Sequence, residues 1–129
     1  NLLMDLQEEM DLALIFIAHD LSVVKHISTK IMVLYLGNMV ELANSEEIYK
    51  APSHPYTQAL ISAVPIPDPS VEKNKDLILI EGELPSPINP PSGCVFRTRC
   101  HKAQEVCANE KPEFKGLSKD HSVACHFHD

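Results

Sequence analysis

Tryptophan is absent from this 129-residue chain, and four glycines stand against ten prolines. No stretch reads G-x-x-x-x-G-K-[ST], so nothing in these residues matches the loop that cradles a nucleotide's phosphates, and ATP hydrolysis is not expected of them alone. No apolar run reaches the roughly 18 residues a membrane span needs. No C-x-x-C pair occurs, which excludes the usual zinc-ribbon spacing. Basic charge is scarce: 11 Lys and Arg face 18 Asp and Glu, for a formal charge of −7. Residues 1–64 hold eight acids against three bases and residues 65–129 ten against eight, so neither half offers a basic field and nucleic acid is not an expected partner. The chain starts at Asn1, within an apparent helix and without a secretory leader pattern. That start suggests a piece of a longer chain and argues against a secreted disulfide protein.

What is present divides into two parts. Leu2, Leu3, Leu6 and Met10 fall at helical spacing among acidic residues, as at the end of an amphipathic helix. "LALIFIA", Leu12 to Ala18, is a continuous apolar run that suits a strand buried on both faces of a parallel sheet. Asp20 is a good helix N-cap, with Leu21, Val24 and Ile27 facing inward. "IMVLYL" is a second buried strand, and Gly37-Asn38 supplies a hairpin turn into "MVELA". Asn44 to Glu47 resembles a capping box for a helix ending near Lys50. "YTQALISAV" predicts another short helix, "PIPDPSVEKNKD" a linker, "LILIEG" a strand, and "ELPSPINPPSG" an extended, polyproline-like segment. The expected class is α/β: residues 1–50 are the end of an α/β domain and residues 51–129 a loop-rich extension. The apolar strands of the first part need sheet neighbours, so the chain is expected to self-associate unless further sequence covers them.

All four cysteines, Cys94, Cys100, Cys107 and Cys125, lie in the last 36 residues, with gaps of five, six and seventeen. Large apolar side chains are few there, so burial alone cannot offset the chain entropy and a cross-link is expected. Four thiolates suit either tetrahedral zinc or a four-iron four-sulfur cluster, and spacing does not separate the two. Arg97, Arg99 and Lys102 could lower the thiol pKa values or form a solvated basic face. His101, His121, His126 and His128 are either further zinc ligands or a solvated tail. His54 and Tyr56 flank Pro55 and read as structural. His19, at the carboxyl end of the first apolar run, is a helix-start histidine by spacing alone.

"IFIAHDLSVV" followed by "VLYLGNMVE" resembles the C-terminal end of an ABC-transporter ATPase domain of the P-loop NTPase class. "HPYTQAL" and "GELPSPINPPSGC" are similar to the C-terminal extension of oligopeptide and dipeptide importer ATPases, the second ATPase subunit in particular. The resemblance covers essentially the whole chain. It implies a parent protein that binds ATP and Mg2+ and hydrolyses ATP on the cytoplasmic face of the membrane, as a peripheral subunit beside a second ATPase subunit and transmembrane permease subunits. It implies that His19 is the histidine that senses the γ-phosphate and orients the attacking water. It also implies that Cys94, Cys100, Cys107 and Cys125 hold one four-iron four-sulfur cluster, zinc or empty thiols being the alternatives. His101 after Cys100 departs from the proline frequent in relatives. The competing expectation is an autonomous metal-binding or redox-sensing module with the α/β segment as scaffold.

Overall fold

The computed structural model describes residues 1–128. Helix α1, Leu2–Met10, ends in a left-handed Asp11 and buries none of its residues. Helix α2, Leu21–Ile27, starts where expected: the Asp20 carboxylate accepts from the backbone N–H groups of Ser22 (2.9 Å) and Val23 (3.4 Å), satisfying two donors the helix leaves free. Of its expected inward residues, Val24 is buried, while Leu21 and Ile27 are half-buried.

Strands β1 (Lys30–Tyr35) and β2 (Asn38–Asn44) form the expected hairpin, but β1 is not the buried strand expected: only Ile31 and Tyr35 are buried, and Met32 and Leu34 on its other face are exposed. The turn sits one residue earlier than the Gly37-Asn38 expectation. Leu36 (φ 47°) and Gly37 (φ 73°) are its two left-handed residues, and Asn38 already pairs with Tyr35. Two residues with positive φ match the right-handed twist of the flanking strands. The Asn38 side chain donates back to the Leu36 carbonyl at 3.0 Å, a local bond that helps hold the turn. The pairing slips at Val33/Leu34, leaving Val40 as a one-residue bulge on β2.

Helix α3, Ser45–Lys50, follows β2 directly. The expected capping-box bond is not made: Asn44 is the N-cap but its side chain accepts nothing, and the Ser45 N–H goes instead to the Thr29 carbonyl at 2.9 Å. Helix α4, Pro55–Ser62, carries proline in its first turn, where no N–H is needed. The linker holds a short helix, α5, Pro69–Lys73, capped by Asp68. A 3-10 turn at Arg97–Arg99 and helix α6, Glu105–Asn109, shape the cysteine segment. Strands β3 (Lys115–Ser118) and β4 (His121–Val123) complete a four-stranded antiparallel sheet of order β1-β2-β4-β3. β4 pairs with β2, Glu41 opposite Val123 and Ala43 opposite His121, so the sheet joins residues on both sides of position 50.

Two expected strands do not form. Leu12–Ala18 lies outside the sheet, with Ile15 96% and Ile17 91% exposed. A strand buried on both faces requires partners on both edges, and no described strand offers it one; the sheet that does form is antiparallel. "LILIEG" is likewise unpaired. Its Leu77 and Leu79 are exposed and only Ile80 packs inward.

The core is two small clusters. Val24, Ile31, Ala43 and Ile48 join α2, the hairpin and α3. Tyr35, Val40 and Phe96 join the hairpin to the cysteine segment, with Tyr56, Cys94 and Cys100 packed against them. The rings of Tyr35 and Tyr56 (4.8 Å) and of Tyr35 and Phe96 (5.0 Å) meet edge to face, the favourable arrangement for aromatic quadrupoles.

Candidate functional site

His19 sits immediately before the Asp20 cap, on the solvent side of the chain. It lines an open cleft of about 270 Å³ together with Asp20, Ser22 and the C-terminal end of α4, from Leu60 to Pro65. The start of α2 is tied down from behind: the Tyr49 hydroxyl of α3 donates to the Leu21 carbonyl, and Lys25 lies 5.2 Å over the Tyr49 ring. The expected residue is thus accessible and placed on a braced helix start.

The four cysteines are free thiols, Cys107 buried and the other three half-buried. Cys94 and Cys107 are joined through their backbones, the Cys94 N–H donating to the Cys107 carbonyl at 2.7 Å. Gly93 (φ 65°) makes that approach possible, since a Cβ on it would stand 2.3 Å from the Cys107 carbonyl oxygen. The Arg97 N–H donates to the Cys94 carbonyl at 3.1 Å and the Ala103 N–H to the Cys100 carbonyl at 3.2 Å, closing a turn after each cysteine. The Phe127 N–H donates to the Cys125 sulfur at 3.4 Å. Burial pushes the Cys94 and Cys100 thiols above their usual range and Cys125 to about 11, and the charge of the neighbouring thiols adds to each rise. Ala124, the residue before Cys125, lines a small cleft together with Val40, Cys94 and Val95, so the chain leaving β4 passes beside the cysteine segment.

The basic residues do not lower these thiols as one reading of the sequence expected. Arg97 turns to the Ser92 carbonyl (2.8 Å) and hydroxyl (3.2 Å). Lys102 does act on Cys100, but burial outweighs it. Among the described residues no group of three or more His, Cys, Asp or Glu side chains is placed to hold a metal ion, so neither the histidines nor the four cysteines are gathered as a ligand set in this structure. His126 meets the Glu110 carbonyl (2.9 Å), and His121 is occupied elsewhere.

That other place was not foreseen. Glu41 is fully buried, and its carboxylate is surrounded by donors: the Ser53 N–H (2.8 Å) and His121 Nε2 (2.6 Å) on Oε1, and the His54 N–H (3.0 Å) on Oε2. Three N–H groups compensate the desolvation of a buried charge. The facing carboxylate fixes the tautomer, with Nε2 of His121 carrying the proton. His54 is the N-cap of α4, its Nδ1 accepting from the Tyr56 N–H at 3.1 Å, and burial lowers its pKa to about 4 against the opposing pull of Glu41. The structural reading of His54 and Tyr56 is therefore met. A lone carboxylate inside "MVELA" was the available signal for this network.

A family model described as "Oligopeptide/dipeptide transporter, C-terminal region" matches residues 40–107, the span from the Val40 bulge through α4 to Cys107. The chain belongs to this family. Among similar curated proteins, the oligopeptide transport ATP-binding protein OppF of Haemophilus influenzae is 64% identical over 125 residues, 97% of this chain and 38% of the relative. OppF of Escherichia coli is 65% identical over 97% of the chain and 37% of the relative. The oligopeptide transport ATP-binding protein AppF of Bacillus subtilis is 52% identical over 99% of the chain and 39% of the relative. The chain thus spans less than two fifths of the length of these relatives of the transporter family.

Proposed function

We propose that these residues form the C-terminal part of the ATP-hydrolysing subunit of an ABC importer of oligopeptides or dipeptides. The observation that carries this reading is the 64% identity, along 97% of the chain, to a protein named as an oligopeptide transport ATP-binding protein. In the complete protein ATP and Mg2+ are bound by residues outside this chain. Within it, His19 supplies one positioned group at the cleft, where its imidazole orients water toward the terminal phosphate. Asp20 holds that position by capping α2. Residues 1–50 serve the ATPase domain and residues 51–129 the extension. The partners are a second ATPase subunit and transmembrane permease subunits, and the subunit sits peripherally on the cytoplasmic face of the membrane. In keeping with that arrangement, no helix among the described residues is long and apolar enough to cross a membrane.

The thiol region is read as the site of one four-iron four-sulfur cluster held by Cys94, Cys100, Cys107 and Cys125. Its support is the donor chemistry: four free thiols, two of them joined by the Cys94 N–H to Cys107 carbonyl bond, and a backbone N–H donated to the Cys125 sulfur. Such a cluster, when bound, supplies a cross-link between the 94–107 segment and Cys125.

Two measurements test these readings. The complete protein, assembled with its membrane partners, is expected to hydrolyse ATP and to turn over faster when peptide is delivered; absence of any ATP turnover contradicts the importer reading. Anaerobic reconstitution of this chain with iron and sulfide is expected to give a brown protein with about four irons and four acid-labile sulfides, as four-thiolate clusters have. Stoichiometric zinc without sulfide contradicts the cluster.

A further inference from the structure

Cys125 is separated by seventeen residues from Cys107, the nearest of the other three thiols, and something must bring it back. The chain returns through β4, a strand of three residues. Its backbone anchors are its pairings with β2 and β3 and the Ala124 N–H to the Val40 carbonyl at 2.8 Å. Among the described residues its side-chain anchor in the interior is His121, whose Nε2 meets the buried Glu41 carboxylate at 2.6 Å. Glu41 is simultaneously bonded to the backbone of Ser53 and His54, the approach to α4. One carboxylate therefore ties the hairpin, the start of α4 and the strand leading to Cys125.

Around this junction Glu47 presents a buried carboxylate oxygen without a hydrogen-bond partner, and the remaining pair is exposed. Glu47 of α3 stands 3.9 Å from His121 Nδ1, and Lys30 and Asp120 make a 3.7 Å pair in solvent. An exposed pair contributes little, whereas a buried carboxylate that loses one of its donors is left undercompensated. The local consequence is release of the element that carried the donor, and that element is β4.

We propose that Glu41 and His121 form a clasp that positions Cys125 against Cys94, Cys100 and Cys107. They are positioning residues: neither side chain donates a sulfur, and both act through the placement of β4. The proposal rests on reading the four thiols as one site, but not on which metal fills it.

The test is thiol labelling of the reduced, metal-free chain under anaerobic conditions. A pulse of N-ethylmaleimide is followed by peptide mass spectrometry, which gives a rate for each cysteine. In His121→Leu, Cys125 is expected to react about tenfold faster relative to Cys94 and Cys107, the signature of a local opening. His121→Gln keeps an N–H that reaches Glu41 and is expected to stay within about twofold of the native ratio, because the donor is retained. Lys30→Ala, which removes only the exposed pair, is expected to change nothing. An unchanged Cys125 ratio in His121→Leu overturns the clasp. So does an equal rise at all four thiols, which marks general unfolding, or a His121→Gln chain that behaves like His121→Leu. Iron and sulfide content is measured separately on the same chains. A native chain that takes no cluster while the Cys125 ratio shifts as expected removes the cluster reading and leaves the clasp standing.

Discussion

At Glu41 a single bulged neighbour reverses the fate of a side chain. Regular alternation along β2 would send Val40 and Leu42 inward and Glu41 to solvent, but the extra residue at Val40 turns Glu41 and Ala43 to the core side. A bulge is set by register, and register is not written in five residues of "MVELA", so the charge network built on Glu41 was not legible. His54 shows the opposite case. The position of a histidine before Pro55 was readable as structural, and its burial then fixes its chemistry. Its folded pKa of about 4 lies below the usual value of about 6.5, so the unfolded chain binds the proton more readily. Its contribution is complete above about pH 6.5 and is lost as pH falls from there toward 4, by up to about 3 kcal/mol. Urea unfolding of the native chain at pH 7.5 and 4.5, set beside His54→Asn, checks this. The acid-induced loss should be smaller in the variant, and an equal loss in both would remove His54 as its source.

Among the elements, those with a chemical punctuation mark were legible and those relying on distant partners were not. Asp20 announces α2 and Pro55 announces α4, because a cap and a first-turn proline act within one turn of the chain. The glycine-bearing hairpin was legible to within one residue. Strands β3 and β4 are four and three residues long, too short for a period, and exist through pairing with β2 and each other. The runs at Leu12–Ala18 and "LILIEG" carry strand composition but find no partner. In the cysteine segment the decisive contact is between Gly93 and α6. Gly93→Ala places a Cβ against the Cys107 carbonyl and the Ala108 backbone at a φ of 65°, where neither backbone nor turn can yield cheaply. The expected cost is about 2 kcal/mol or more, read as a lower urea midpoint with an unchanged slope. A midpoint equal to that of the native chain would show that the 93–108 contact does not constrain the segment.

For the molecule as a whole, the family relation to oligopeptide/dipeptide transporters was legible from "HPYTQAL" and its neighbours, whereas the four thiols expected to cross-link the extension are free in the structure. What sequence could not supply is how much apolar surface stays uncovered. Helix α1 buries nothing, and Ile15 and Ile17 stand almost fully in solvent. Apolar surface of that extent drives association, so the isolated chain is expected to sediment as a dimer or larger species at micromolar concentration; a single monomeric boundary would contradict this. The histidine at the cleft carries the central functional claim. In the complete protein, His19→Ala is expected to leave ATP affinity nearly intact, because the phosphate-binding groups lie elsewhere, and to lower steady-state ATP turnover by about 10²-fold, the scale of losing one positioned catalytic group. Turnover of the His19→Ala protein equal to that of the native protein would contradict the role assigned to this cleft.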